Sequence, residues 1–553
     1  MKSIDVLPKI AVTLLAILIS ICSFTQVDDQ NNFDGNENGK WYRRNFVLEF
    51  KPNNLFFCSD TSLTKFEEGN YQILKSEKGL RLELSGADST AEIQSFDIAV
   101  NSNQKISFLK KDNKFTYLKE DKSLKSTFSV QSIFRGLIGM VGLILIAFLL
   151  SRNRRQINWG LVLKGVLLQL VLAILILKVP FIEYGFDFIS KGFVKVVDMA
   201  HEGALFVFGS VINGEMSPLV KNFVTWILPS VIFFSALTSL LYYWGFLQKI
   251  VYLMAWVMKR VMGLSGAESV SAAGNVFLGQ TEAPLLVKPY LSKMTDSEIL
   301  CLMAGGMATI AGGVLASYIG FLGGEDPAQK VFFAKHLLTA SLMSAPAAIV
   351  FSKIVLPETQ PINNDLAVSK EKLGSNSLEA IANGTMDGIR LAVNVAAMLI
   401  VFVSLIALAN YILGKFGYYT GINDLIASFS NYSELSFQFI LGYICAPIAW
   451  LMGVPLSDIT IIGQLIGEKT IINEFVAYPH LGELQDEITG KSLIMGTYVL
   501  CGFANFASIG IQVGGIGALC PGKKSTLAKY GFLALIVGTL ACMMTATMVG
   551  MLY

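Results

Sequence analysis

The sequence predicts an all-α polytopic membrane protein with inverted repeats and two re-entrant hairpins, plus a small N-terminal β-rich extracytoplasmic domain. Three observations lead to this fold class. The 553-residue chain is 53% hydrophobic and only 15% charged, whereas a soluble protein carries roughly a quarter charged residues. Its charges concentrate between about residues 27 and 126, and apolar runs of membrane-spanning length follow them. Two polar stretches, each containing a glutamate, then recur within the apolar part in a similar context.

The first 130 residues differ in character from the rest of the chain. Residues 1–26 are predicted to be a signal peptide or a signal-anchor helix, because Lys2 is followed by an apolar stretch at about 6–24. Residues 27–130 are predicted to be an extracytoplasmic β-rich domain, since apolar and polar residues alternate at 46–50 and 80–84. No motif in this domain indicates a chemistry, so its role in packing, assembly or ligand binding stays open.

Apolar runs in the remainder of the chain predict membrane-spanning helices, because each approaches the ~20 residues that a helix needs to cross ~30 Å of hydrocarbon. The runs lie at about 134–150, 160–178, 223–244, 298–322, 333–356, 390–413, 492–517 and 527–552. Basic residues concentrate in alternate loops, for example Arg154 and Arg155 after the first run and Lys523 and Lys524 before the last. The positive-inside rule therefore places residues 27–130 and the C-terminus on the outer side of the cytoplasmic (inner) membrane.

The charge and the inventory of reactive side chains argue against several functional classes. A net charge of +2 gives no indication of a nucleic-acid partner. The three histidines and seven cysteines lack metal-ligand spacing, and the sequence contains no Gly-x-x-x-x-Gly-Lys-Ser/Thr loop. We therefore predict neither an enzyme nor a cofactor. A receptor whose extracytoplasmic domain binds the ligand is an alternative, but it leaves the repeated glutamates unexplained.

Two parts of the membrane core resemble each other, and we divide the core into scaffold helices at 131–245, a first repeat at 246–356 and a second repeat at 357–553. Met262-Gly263 is followed by Gln280-Thr281-Glu282 in the first repeat, and Met452-Gly453 by Asn473-Glu474 in the second. Each glutamate precedes a Gly-x-Ala-x-x-Ala pattern, at 306–311 and 502–507. If the glutamate-bearing segments are re-entrant hairpins, the repeats are inverted, as in secondary transporters. Ordinary helix packing is the alternative explanation of the small-residue spacing.

The two repeated glutamates are the principal site candidates. A carboxylate in hydrocarbon costs several kcal/mol unless it is paired or lines a wet cavity, so intramembrane acids indicate function. Glu282 lies between the helix breakers Gly279 and Pro284. Broken helices expose backbone carbonyls and amides that can bind a small cation or a polar substrate.

Four stretches resemble the motifs of the concentrative nucleoside transporter family. The stretch at 274–285, GNVFLGQTEAPL, resembles its signature hairpin, and 305–312, GGMATIAG, resembles the broken helix that follows. The stretch at 472–478, INEFVAY, resembles the tip of its second hairpin, and 501–508, CGFANFAS, resembles its second broken helix. The resemblance covers about residues 133–553 and excludes the first 130.

The resemblance implies a substrate site and an ion site. The nucleobase would contact Gln280, Thr281, Glu282 and Val314. The ribose hydroxyls would bind Glu474, Asn505 and Ser508, with Phe503 lining the pocket. Sodium would bind the side chains of Asn275 and Thr309 and the carbonyls of Leu278 and Ile310.

The resemblance also implies a secondary active symporter that imports nucleosides by alternating access, as a homotrimer in the lipid bilayer. The residues Thr281-Glu282-Ala283-Pro284 resemble the sodium-coupled pattern of the family, so we expect sodium as the coupling ion. A proton-coupled nucleoside or nucleobase symporter is the alternative. The preference for purines or pyrimidines and the number of ions per substrate stay open.

Overall fold

The structure is a computed structural model that describes strand residues between 39 and 118 and residues 130–553, apart from 210–221, 325, 364, 367, 370–373 and 431. The predicted signal segment at 1–26 lies outside the described residues. The chain divides into two compact units. One contains residues 1–126 and 483–493, and the other contains residues 127–482 and 494–553.

The described residues of the N-terminal unit form eight antiparallel strands that follow one another, each paired with the next. They are β1 (Gly39–Arg43), β2 (Phe46–Lys51), β3 (Leu55–Cys58), β4 (Glu68–Ser76), β5 (Gly79–Gly86), β6 (Gln94–Asn101), β7 (Lys105–Lys110) and β8 (Asn113–Leu118). Tyr42 of β1 pairs with Leu118 of β8, which closes the sheet into a barrel. Closure pairs the edge strands that an open sheet would leave exposed. The alternating stretches at 46–50 and 80–84 lie in β2 and β5.

The regular structure described between residues 130 and 553 is helical. The scaffold region contains α1 (Val130–Leu150), α2 (Trp159–Lys178), α3 (Pro180–Phe208) and α4 (Leu228–Tyr243). The first repeat contains α5 (Phe246–Met262), α6 (Gly266–Asn275), α7 (Ala283–Leu286), α8 (Lys288–Leu291), α9 (Asp296–Ala308), α10 (Gly312–Gly323) and α11 (Pro327–Val355). The second repeat contains α12 (Ser377–Thr420), α13 (Ile422–Phe429), α14 (Phe437–Met452), α15 (Ile459–Ile471), α16 (Glu474–Leu484), α17 (Gly490–Val499), α18 (Phe506–Leu519) and α19 (Lys524–Gly550).

Within the described residues, seven helical segments are long and apolar enough to cross a membrane. The apolar runs predicted at 298–322 and 492–517 are each divided into two helices, with breaks at 309–311 and 500–505. The prediction missed α3, because its acidic and basic residues interrupt the apolar pattern. Some of these charges are paired inside the protein, since Lys335 of α11 contacts Glu183 at 2.9 Å and Asp187 at 3.1 Å.

The two repeats have the same order of elements in the described structure. In each, a helix ends at a left-handed glycine, Gly263 at φ 73° or Gly453 at φ 92°, and a short helix follows. A glutamate-bearing turn, a broken helix and a long helix come next. The long helices α11 and α19 meet where Ser344 Oγ lies 3.4 Å from Thr545 Oγ1. The left-handed backbone suits glycine because other residues incur roughly 1 kcal/mol of steric strain there.

Buried polar contacts hold the first repeat together. Ser265 and Glu268 form a capping box at the start of α6, which satisfies backbone groups that the helix leaves unpaired. Glu268 also forms a buried ion pair with Lys353 of α11. The ammonium group of Lys353 donates to Ser297 Oγ of α9 at 2.8 Å. These contacts join the helices α6, α9 and α11.

Candidate binding site

Four irregular segments converge between the two repeats: the turn at 276–282, the break at 309–311, the start of α16 and the break at 500–505. Gly502 shows how closely the two broken helices approach each other. It has φ 88°, and a Cβ at this position would lie 2.5 Å from the backbone of Ala308. A side chain at 502 would therefore separate the two breaks.

Glu474, Asn505 and Ser508, the predicted ribose-binding residues, lie together. Glu474 is the first residue of α16 and is buried, and its Oε2 accepts a hydrogen bond from Asn505 Nδ2 at 2.9 Å. Asn505 caps α18, because its Oδ1 accepts from the backbone N–H of Ser508 at 2.9 Å. The amide of Asn505 is therefore oriented by a backbone donor on one side and a carboxylate on the other.

Gln280, at the turn of the first repeat, joins this group from the opposite side. Its Nε2 donates to Ser508 Oγ at 3.1 Å. Its Oε1 accepts from Nε2 of Gln512, on the next turn of α18, at 3.0 Å. We call the five residues Glu474, Asn505, Ser508, Gln280 and Gln512 the polar network; the sequence analysis had included all of them except Gln512. The available signal was a glutamine inside an apolar run, four residues after Ser508 and thus on the same helix face.

The other predicted substrate residues lie outside the hydrogen bonds of this network. Glu282 bends back onto its own turn and accepts from the backbone N–H of Gly279. It is exposed and lines a cavity of about 70 Å³ together with Asp387 of α12. Thr281 is also exposed, whereas Val314 and Phe503 are buried. The predicted contacts of these four residues with a substrate stay predictions.

The predicted sodium residues surround the break between α9 and α10. Asn275, the last residue of α6, is 1% exposed, and neither of its amide atoms has a hydrogen-bond partner among the described residues. Thr309 Oγ1 donates to the carbonyl of Gly305 at 2.9 Å. Leu278 and Ile310 are buried. A buried amide oxygen without a donor is costly, so the arrangement fits a hard cation that binds oxygen ligands.

Hydrogen bonds tie this break to the turn at 276–282. Ser341 Oγ of α11 accepts from the backbone N–H of Ile310 at 3.3 Å and donates to the carbonyl of Val276 at 2.9 Å. The N–H of Gly312 donates to the carbonyl of Phe277 at 3.0 Å. Turn and break are thus held side by side. The described residues contain no group of three or more His, Cys, Asp or Glu side chains that could hold a metal.

A buried lysine stands at the corresponding place in the second repeat. Lys469 lies near the end of α15, as Asn275 lies at the end of α6, and is 2% exposed. Its ammonium group donates to the carbonyls of Val499 at 2.9 Å and Cys501 at 2.8 Å. These carbonyls mark the end of α17, where the helix dipole and unpaired carbonyls favour a cation. The sequence analysis did not identify this residue.

Comparison with known proteins gives a consistent result over the helical part. Residues 138–211 and 336–550 match the N-terminal and C-terminal profiles described as Na+ dependent nucleoside transporter, and residues 224–325 match a profile described as nucleoside recognition. An uncharacterized transporter of Haemophilus influenzae is 40% identical over 432 residues, covering 76% of this chain and 98% of that protein. The nucleoside permease NupC of Helicobacter pylori is 38% identical over 422 residues, covering 75% and 96%.

The fold comparison agrees with the sequence comparison. The structure of CNTnw in an inward-facing substrate-bound state superposes with a TM-score of 0.68 at 36% sequence identity. The match covers 76% of this chain and 98% of that one. The described helical part of the chain therefore has that transporter's fold.

Proposed function

The chain belongs to the concentrative nucleoside transporter family, and from this premise we propose that it imports nucleosides by alternating access, driven by a sodium gradient. The observation that carries the proposal is the polar network. It places a carboxylate, three hydrogen-bonding amides and a hydroxyl from both repeats in one buried place. A neutral polyhydroxylated ligand needs such partners, because an unpaired buried hydroxyl is costly.

The proposed substrate site follows the chemistry of a nucleoside. Glu474 and Asn505 can accept from and donate to ribose hydroxyls, and Ser508 lies beside them. Gln280 would contact the nucleobase, with Thr281, Glu282 and Val314 nearby on the same repeat and Phe503 lining the pocket. An exposed Glu282 facing Asp387 suits a residue that meets the substrate as it enters or leaves.

We place the membrane arrangement in the same proposal. Helix α6 has 10 residues and is therefore about 15 Å long, roughly half the thickness of the hydrocarbon core. This length supports a re-entrant hairpin in the first repeat and, by analogy, an inverted one in the second. Residues 27–130 and the C-terminus would lie on the outer side of the cytoplasmic membrane. Helix α12 is apolar and largely exposed, which fits a face that lipid and the other subunits of a homotrimer cover.

Uptake into proteoliposomes tests the proposed function. We expect vesicles that contain the purified protein to accumulate radiolabelled uridine or adenosine under an inward sodium gradient. When choline replaces sodium, uptake should fall to the background of protein-free vesicles. Uptake that follows a proton gradient and ignores sodium would favour the proton-coupled alternative. Correctly inserted protein that moves no nucleoside under either gradient would disprove nucleoside transport.

The sodium site gives a separate prediction. Replacing Asn275 with alanine removes the buried amide oxygen and is expected to raise the sodium concentration for half-maximal uptake by about 10-fold or more, since one ligand to a charged group contributes about 1.5–3 kcal/mol. The maximal rate at saturating sodium should fall less. Ser352→Ala serves as the control, because it removes a buried hydroxyl of α11 that donates within its own helix, to the carbonyl of Ala348. An unchanged sodium requirement in Asn275→Ala would argue against this site.

A further inference from the structure

Gln512 contributes to the polar network through only one end of its amide. Its Nε2 donates both to Gln280 Oε1 and to the backbone carbonyl of Met303, each at 3.0 Å. The side chain is fully buried, and its Oε1 has no hydrogen-bond partner among the described residues. This one nitrogen of helix α18 thereby contacts both the turn at 276–282 and helix α9 of the other repeat.

These contacts define which way the two amides face. A carbonyl oxygen can only accept, so Met303 requires the nitrogen of Gln512 and not its oxygen. The same nitrogen faces Gln280, which must therefore present Oε1 toward Gln512 and Nε2 toward Ser508. If the Gln280 amide rotated by half a turn, its nitrogen would face the nitrogen of Gln512, and two donors would meet in a buried place.

We propose that Gln512 is a positioning residue that fixes the direction of the Gln280 amide, so that the site offers an N–H donor and selects nucleobases with an acceptor at that point. The inference rests on the proposed function. Gln280 Nε2 carries two hydrogens, and one is donated to Ser508 Oγ. The second is available for a carbonyl oxygen or an unprotonated ring nitrogen of the base.

Gln512 acts through Gln280 and needs no contact with the base itself. Without it, the Gln280 amide can adopt either direction and offer either a donor or an acceptor. Discrimination between bases should then weaken more than transport itself. A protonated glutamate at 512 would donate its one hydrogen to the carbonyl of Met303 and accept from Gln280 Nε2 with the same oxygen. This would reverse the Gln280 amide and direct its oxygen toward the base.

Competition experiments on the full chain in proteoliposomes test this inference. The probe is sodium-driven uptake of radiolabelled uridine or adenosine, whichever the wild type accumulates. The competitors are analogues that each lack one acceptor: 2-pyrimidinone riboside, which lacks the 4-oxygen of uridine, and 1-deaza-, 3-deaza- and 7-deazaadenosine. In the wild type, one analogue should compete about 5–10-fold less well than its parent, the effect of about one neutral hydrogen bond.

The variants decide the outcome. In Gln512→Met, which keeps a similar volume, the difference between that analogue and its parent should fall below about 2-fold. In Gln512→Glu, an analogue with an amino group at the same position should compete better than the parent. The sodium concentration for half-maximal uptake should stay within about 2-fold of the wild-type value in both variants. If either variant fails to insert, Gln512→Asn takes its place, because the shorter side chain cannot reach both Gln280 and the Met303 carbonyl. Discrimination should then weaken as in Gln512→Met.

Equal discrimination in the wild type and all inserted variants would overturn the inference and leave the proposed function standing. A general loss of uptake with unchanged discrimination would also overturn it, because it would show a packing role only. Absence of sodium-driven nucleoside uptake by the wild type would instead overturn the proposed function, and the inference with it.

Discussion

Replacing Glu474 with glutamine is expected to reduce sodium-driven nucleoside uptake by about 100-fold or more. The carboxylate accepts from Asn505 Nδ2 and, in the proposed complex, from ribose hydroxyls. A glutamine of the same size has one acceptor atom instead of two and adds a donor that would face another donor. A hydrogen bond to a charged group contributes about 1.5–3 kcal/mol, and an unpaired buried donor costs about 1–3 kcal/mol more. The loss of one such bond together with the opposed donors therefore corresponds to about 100-fold or more in uptake at low substrate concentration.

Measurement of initial uptake rates against nucleoside concentration would test this expectation, with equal amounts of inserted protein. Glu202→Gln, an exposed charge-neutralising change on α3, is the matched control and should transport as the wild type does. In the wild type, the 2′-deoxy and 3′-deoxy nucleosides should compete less well than the parent nucleoside. This difference should be smaller in Glu474→Gln, because the variant has already lost the partner of the hydroxyl. Near-normal uptake by Glu474→Gln would place the ribose elsewhere.

Much of the site could be predicted from the sequence, because the repeated glutamates are polar groups in apolar surroundings and the resemblance to the family implied the other residues. Glu474, Asn505, Ser508 and Gln280 were all candidates, and the structure joins them by hydrogen bonds. The direction of Glu282 could not be predicted in the same way. Its carboxylate turns toward the N–H of Gly279, a choice that depends on the local backbone of the turn.

Two further residues show where the sequence pattern becomes ambiguous. A lysine near an apolar run has the same appearance whether it marks a membrane surface or occupies a buried position. Lys469 is buried because two carbonyls at the end of α17 need donors there, and that need arises only once α15 and α17 pack together. Gln512 likewise gains its role from Met303 and Gln280, which are over 200 residues away in the chain. Contacts of this kind are tertiary and leave no local periodicity.

The scaffold shows a similar limit. Helix α12 has 44 residues, although only its central part at 390–413 was predicted. The apolar pattern ends at Asp387 and Arg390 on one side and at Lys415 on the other. The helix continues because these side chains remain compatible with helical backbone, so hydropathy locates the part suited to lipid but not the end of the helix.

Replacing Lys469 with methionine is expected to abolish uptake and to lower the stability of the protein. The change leaves the carbonyls of Val499 and Cys501 without the ammonium donor in a buried place. Each unpaired buried group costs about 1–3 kcal/mol, so we expect a loss of about 2–6 kcal/mol. In detergent, the variant should unfold at a clearly lower temperature than the wild type.

Lys469→Arg distinguishes loss of the charge from loss of packing, because it retains a cation that can donate to both carbonyls. It should recover stability and part of the uptake, although its larger planar group fits a site shaped for an ammonium less well. Lys288→Met, at an exposed position that follows the turn at 276–282, is the control for the loss of one positive charge. A stable and active Lys469→Met variant would show that the break between α17 and α18 needs no cation.

Lys469 and Asn275 occupy similar places in the two repeats, and this similarity explains why replacing Lys469 should reduce stability and uptake so strongly. At the end of α6, a buried amide oxygen lies beside the break of α9 and α10 without a donor, and we propose that a sodium ion binds there. At the corresponding place in the second repeat, a covalently attached ammonium already meets the carbonyls of the break. In this proposal, one broken helix gains and loses its cation during transport, whereas the other keeps the ammonium group of Lys469. Without Lys469 the second break would lose its positive charge, and we do not expect a sodium gradient to replace it.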